Sequence, residues 1–344
     1  MRIPVSLAWI ILVVTFGTAA LLRQFHHRTP EAPLVSPIVG SALFAAIFLL
    51  LLVTARERRH DARSGPGVRL GSLTPILIIL LVEKWFSIAV YPRLFNTMAP
   101  GVLDGGFLDA LYRAFAGLGL VATCLVLGWV SLPTMRKTWR RARPNRWPAA
   151  AVALLIVIAG SYCLLGVLSS LLGGGLRLTM PKSDSMMFWV VGGQSLLAFA
   201  EELYYRGLLL CEMERLAPRL GIHGRGARRW VALLSTSLLF GLEHLRLGPE
   251  WSQSLREVVF VISLGLLFGI LVTLSSNLHF AAGVHAWINW LLLGAVPYFA
   301  DAGGRPALPA GTYIAVSLIL AFVLTYVMRA WRGRQTYKEP LLES

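Results

Sequence analysis

About ten apolar runs, separated by short segments that are alternately basic and nearly uncharged, decide what this chain can fold into. They cover roughly 4–22, 35–54, 73–91, 110–132, 147–172, 188–210, 230–245, 258–274, 280–296 and 312–328. Most reach the ~20 helical residues that a bilayer core requires. A segment crossing lipid must satisfy its own backbone hydrogen bonds, which makes each run a helix. With 56% of residues hydrophobic and 14% charged, an ordinary soluble domain is excluded. The predicted fold is an all-α polytopic membrane protein of about ten transmembrane helices. The seventh and ninth runs are short, so those helices are expected to tilt less, extend into their flanks or be partly re-entrant.

The formal net charge of +15 lies largely in the loops. Arg56, Arg58, Arg59, Arg63 and Arg69 follow the second run, and Arg136, Lys137, Arg140, Arg141, Arg143 and Arg146 the fourth. Arg215, Arg219, Arg225, Arg228 and Arg229 follow the sixth, and Arg329, Arg332, Arg334 and Lys338 the tenth. The intervening loops hold scattered charges such as Arg93 with Asp104 and Asp301 with Arg305. Ten spans put every basic cluster on one side, so both termini are expected in the cytoplasm. This distribution sets topology and does not indicate a nucleic-acid partner. The Arg-rich loops and the lack of eukaryotic sorting signals fit a bacterial inner membrane. The first run exceeds a signal-peptide core in length and is expected to be a retained anchor. Trp139, Trp147, Trp230 and Trp331 fall near cytoplasmic helix ends and read as interfacial anchors. Cys124, Cys163 and Cys211 are isolated and are expected to be buried, inert packing residues.

Gly173, Gly174, Gly175 and Pro181 form a joint before the sixth run. They suggest an N-terminal bundle over 1–180, a core over 181–300, and a last helix with a basic tail over 301–344.

Three runs carry polar groups that lipid would not tolerate without partners. The sixth contains Glu201, Glu202 and Arg206; the seventh ends near Phe240 and His244; the ninth holds His285 and Asn289. Glu202 and Arg206 are four apart, the good orientation for an ion pair along an α-helix. Glu201 is then the unpaired acid, suited to a general base. His244 shares a helical face with Phe240 in this reading, and Glu243 points elsewhere, toward Arg246. His285 and Asn289 share a face of the ninth helix, where an imidazole and an amide could hold an oxyanion or serve as interhelical glue. Counted at 1.5 Å per residue, these groups fall at mid-depth, with His244 deepest at about 20 Å. Alone, the Glu201, Glu202 and Arg206 cluster could be a structural charge group or a transporter's proton site, and His244 a satisfied packing or helix-end residue.

The series Glu201-Glu202-x-x-x-Arg206, Phe240-x-x-x-His244 and His285-x-x-x-Asn289 resembles the motifs of the CPBP family. These are the CAAX-protease and bacteriocin-processing membrane proteases, also called the Abi or type II CAAX prenyl endopeptidase family. Gly265-x-x-x-Gly269, a pattern that lets helices approach closely, stands where that family tends to carry small residues. The resemblance covers about 188–296 and implies a C-terminal CPBP-like helical bundle with Glu201 as the base that activates water. It further implies that His244 binds that water, that His285 and Asn289 form the oxyanion site, and that Glu202, Arg206 and Phe240 support them. No cofactor is then required. The alternative is a zinc ion held by Glu201, His244 and His285, since zinc accepts such ligands with an open fourth position. Two features depart from the usual pattern: Glu243 before the histidine, and His279 near the start of the ninth run.

The expected function is that of a glutamic intramembrane endopeptidase. Its partners are the bilayer and a membrane-anchored protein tail or peptide precursor. A transporter, or a non-catalytic scaffold or immunity protein, using the same polar cluster structurally is the alternative. Glu83 beside Lys84, and Asp109 with Arg113, read as structural ion pairs.

Overall fold

From the fifth apolar run onward the described residues are almost wholly helical. The structure is a computed structural model that describes residues 132–172, 177–180, 185–244, 251–301 and 305–336, with short stretches before 132. The first four runs fall largely outside the described residues, as do Cys124, Glu83, Lys84, Asp109, Arg113, Arg246, Pro181 and the three-glycine joint.

Helix α1 (Leu132–Arg141) leads through a 3-10 turn at Pro144–Arg146 into α2 (Trp147–Leu171). Helix α3 (Ser185–Glu202) continues as a π-helical segment, Leu203–Leu209, and then as α4 (Leu210–Leu216). There follow α5 (Arg225–Leu242), α6 (Trp251–Ser275), α7 (Leu278–Leu292) and α8 (Ala310–Thr336). Two short strands, β1 (Arg177–Thr179) and β2 (Tyr298–Ala300), pair antiparallel with Leu178 opposite Phe299.

Among the described residues, three segments are long and apolar enough to cross a membrane by length and composition: Arg136–Leu171, Leu255–Ser275 and Ala310–Ala330. The other three apolar runs are helical, but each has a physical interruption. In α3 the α-helical hydrogen-bond pattern stops at Glu202. Helix α5 begins with Arg225, Arg228 and Arg229. Helix α7 has 15 residues, about 22 Å at 1.5 Å per residue against a core of ~30 Å. Its end is set by Gly294, whose φ of 65° is left-handed. There Ala295 N–H donates to Trp290 O and Gly294 N–H to Leu291 O, a Schellman stop that closes the helix short of the predicted 296.

The chain divides into two units. One takes Met1–Asp104, Phe115–Arg140 and Leu203–Gly269; the other takes Gly105–Ala114, Arg141–Glu202 and Ile270–Ser344. In the second, α7 packs against α3, α2 and α8. The burial pattern there is reversed relative to a soluble bundle. On α2 the inward face is Ala150, Ala153, Val157, Ser161, Leu165, Gly166 and Ser169, mostly small or polar, while Leu155, Ile156, Leu164 and Val167 are exposed. Helix α8 repeats this, with Ser317, Ala321 and Thr325 buried and Ile319, Val323 and Val327 outside. An apolar outside around a polar-containing inside is what lipid as solvent selects, and the chain is an integral membrane protein. Cys163 belongs to that outer face and is exposed, not buried as predicted; Cys211 is buried.

Inside this unit the polar groups find partners. Ser317 Oγ lies 3.0 Å from Ser161 Oγ and accepts from Trp287 Nε1 at 3.0 Å, so one hydroxyl ties α2, α7 and α8 together. Gly283 lets α2 approach: a Cβ there would stand 2.8 Å from Leu154 Cδ2. In the first unit, Gly241 of α5 meets α6 so closely that a Cβ would lie 2.2 Å from Ile262 Cγ1 and 3.0 Å from Val258 O. Gly265 and Gly269 do the same from α6, against Phe240 and Leu233. The small-residue pattern read from the sequence is thus a close-packed seam.

Candidate active site

Glu201 and Glu202 close α3, and His285 projects from the middle of α7. His285 Nδ1 lies 3.0 Å from Glu202 Oε1, and its Nε2 lies 3.6 Å from Glu201 Oε2. The ring is therefore flanked by carboxylates on both nitrogens. Glu202 is fully buried at 0% side-chain exposure, His285 is nearly so at 6%, and Glu201 is the most accessible at 17%. The Nδ1 contact is a hydrogen bond. The Nε2 gap exceeds hydrogen-bond length, yet is short enough for one water to bond both atoms.

The register of α7 against α3 is fixed on both sides of this contact. Asn277 caps α7, its side-chain oxygen accepting from His279 N–H and Phe280 N–H, which satisfies two otherwise orphaned donors. His279 stacks on Phe199 with ring centroids 5.6 Å apart, and its Nε2 sits 2.9 Å from Ala142 O. The extra histidine is thus a packing and hydrogen-bonding residue at the start of the helix. One turn beyond His285, Asn289 Nδ2 donates to Gln194 Oε1 at 3.3 Å. Gln194 is buried on α3 and was not singled out from the sequence. Its signal was available: it precedes Glu201 by two helical turns, on the same side of the helix.

The remaining predicted residues belong to the first unit. Arg206 lies in the π-helical segment and is about 1% exposed. Its Nη2 donates to Gly265 O at 3.0 Å, and its guanidinium stands 4.6 Å from the Phe240 ring centroid and 5.4 Å from that of Tyr205. Arg206 is therefore seated on aromatic faces, an arrangement favourable to a desolvated cation. The predicted Glu202–Arg206 pairing rests on α-helical periodicity, and Leu203–Leu209 departs from it. Such π segments are frequent at functional sites.

The His244 ring meets Phe240 as the shared face predicts, edge-on with centroids 5.1 Å apart, although the α-helix itself stops earlier. Helix α5 ends at Leu242, and His244 stands in the turn that follows. Its Nδ1 lies 2.8 Å from Phe240 O, so the ring folds back onto one of the last carbonyls of its own helix. Glu243 is buried and its Oε2 accepts from Tyr205 Oη at 2.5 Å, while Arg246, toward which it was expected to point, lies outside the described residues. Among the described residues no three His, Cys, Asp or Glu side chains are gathered as a metal site. The structure thus brings together Glu201, Glu202 and His285, with Asn289 on the adjacent turn. It gathers Arg206, Phe240, Glu243 and His244 within the other unit.

Residues 183–291 match the family model described as Type II CAAX prenyl endopeptidase Rce1-like. The segment is Rce1-like. It runs from the approach to α3 through α7 and takes in every residue named above from Gln194 to Asn289. The resemblance to the CPBP family read from the motif series is therefore shown over this stretch, and an Rce1-like segment indicates a membrane protease. No curated protein and no solved structure matches the chain.

Proposed function

We propose that the protein is a glutamic intramembrane endopeptidase that hydrolyses a peptide bond of a membrane-anchored protein tail or peptide precursor. The observation that carries this reading is the placement of His285 between Glu201 and Glu202, with the accessible carboxylate facing Nε2 and the buried one holding Nδ1. Glu201 takes a proton from a water held on its exposed side, the resulting hydroxide attacks the scissile carbonyl, and Glu201 returns that proton to the amine nitrogen as the C–N bond breaks. His285, as an imidazolium with Nδ1–H on Glu202 and Nε2–H as the second donor, and Asn289 stabilise the negative charge on the carbonyl oxygen, a role in which fixed donors count for most in a water-poor site. Asn289 has a second amide N–H beyond the one given to Gln194. The role of Glu202 is to orient the imidazole, and Arg206, seated on Phe240, fixes the π-helical segment that follows the two acids in the chain.

The protease core spans 181–300, behind the N-terminal bundle over 1–180 and ahead of the last helix and basic tail over 301–344. Both termini lie in the cytoplasm of a bacterial cell, and the chain resides in the inner membrane. The reaction needs no metal.

Cleavage in water enriched in oxygen-18 tests the scheme. Purified protein in liposomes, given a membrane-anchored peptide with a CAAX-like tail, should place one heavy oxygen in the new carboxylate during a single turnover. It should leave no acyl adduct on the protein. A covalent intermediate, or an absence of cleavage of any tail-anchored peptide, would contradict it.

A further inference from the structure

Outside the catalytic cluster, the first unit contains a cavity of about 410 Å³, within the size range of small-ligand sites. Among the described residues its wall carries five basic side chains, Lys137, Arg215, Arg225, Arg228 and Arg229, against one acidic, Glu214. Part of this charge is internally matched. Glu214 is shared by Lys137 and by Arg229, the latter at 3.6 Å, and Arg215 pairs with the buried Glu212. What is left is a cationic excess centred on Arg225 and Arg228. Arg228 Nε is buried and, among the described residues, has no hydrogen-bond partner. A buried guanidinium donor without an acceptor costs free energy that a bound anion would recover. These arginines also open α5, whose N-cap Gly224 supplies no side-chain acceptor, so the helix terminus adds to the attraction for an anion.

Depth distinguishes the ligand. Trp139 lies two residues past Lys137 and Trp230 one residue past Arg229, and both are exposed, at 59% and 52%. Exposed tryptophans on membrane helices mark the headgroup level. Beyond Trp230 the exposed residues Leu234 and Leu238 continue at four-residue spacing along α5, which is a lipid-facing stripe. The cavity therefore sits where phosphate groups of the leaflet are found, with hydrocarbon beginning one turn inward.

We propose that this cavity binds the phosphate headgroup of an anionic phospholipid, with an acyl chain laid along the Trp230, Leu234 and Leu238 face. This site is separate from the proteolytic chemistry, and its test does not use cleavage.

The full-length protein, purified in detergent, is loaded with phosphatidylglycerol or phosphatidylcholine and analysed by native mass spectrometry. Wild type should retain phosphatidylglycerol preferentially. Replacing Arg225→Gln and Arg228→Gln together should weaken that retention by roughly fivefold for each arginine, while Arg225→Lys with Arg228→Lys keeps most of it. On unmodified protein, glycerol phosphate should displace the lipid, a measurement that does not depend on how the variants fold. Equal retention of the two lipids by wild type, or undiminished phosphatidylglycerol on the folded Gln variant, would overturn the proposal. Binding of glycerol phosphate or inorganic phosphate without lipid retention would assign the cavity to a soluble anion and overturn the lipid assignment.

Discussion

The 3.0 Å contact between His285 Nδ1 and Glu202 Oε1 joins the middle of α7 to the last α-helical residue of α3. It uses one face of the imidazole for anchoring and turns the other toward Glu201. Two adjacent glutamates thereby stand in different surroundings: one is sealed, the other is accessible.

That division predicts distinct kinetics for Glu202. Glu202→Gln replaces a charged acceptor by an amide that can present either end to Nδ1, so the ring loses its fixed orientation. The turnover number should fall about 10–100-fold, the usual effect of losing an orienting partner, with KM little changed. Glu202→Asp should recover part of the loss. Peptide cleavage by the two variants in liposomes, fitted separately for kcat and KM, checks this.

Metal removal should have little effect. If a glutamate-activated water is the nucleophile, prolonged chelation with a zinc-selective chelator leaves the cleavage rate within about twofold, whereas a zinc-bound nucleophile would be lost with its metal. Metal content measured on the same samples makes the comparison decisive.

How much of this was legible in the sequence differs by residue. The helices from 147 onward follow from apolar length alone, because lipid leaves the backbone no alternative. Glu201, Glu202, His285 and Asn289 were visible because charge and amide groups are costly in such runs. What could not be read was phase. The α-helical periodicity assumed from Glu202 to Arg206 gives way to a π-helical segment, and no residue type announces that change. The end of α5 before His244 was equally hidden, because the chain there carries neither Gly at the stop nor a proline after it. Gln194 was overlooked because an amide in an apolar run attracts less notice than a charge.

Two glycines should respond differently to one methyl group. At Gly241 an added Cβ meets Val258 O and Ile262 N, backbone atoms that cannot step aside. At Gly283 its neighbours are the tip and branch of the Leu154 side chain, which can rotate. Gly241→Ala should destabilise by about 1–3 kcal/mol, as overpacking does, and Gly283→Ala by less. Thermal unfolding in detergent, with both variants side by side, tests the ranking.

The start of α7 depends on Asn277, whose side-chain oxygen accepts from two backbone N–H groups. Asn277→Ala should cost about 1 kcal/mol, the usual loss for an N-cap, and Asn277→Asp should retain most of the stability. Because His285 lies on the same helix, the Ala variant should also lower cleavage in proportion to any fraying, which hydrogen exchange over 278–285 would report.

The most direct measurement is the rate of peptide-bond cleavage by Glu201→Gln in liposomes, beside wild type and Glu201→Asp. Glutamine keeps the size and the hydrogen-bonding oxygen but cannot accept a proton, so the chemical step should slow by at least about 10²–10⁴-fold while the protein inserts and unfolds as before. A folded Glu201→Gln protein that cleaves at the wild-type rate would contradict the assignment of Glu201 as the group that activates water.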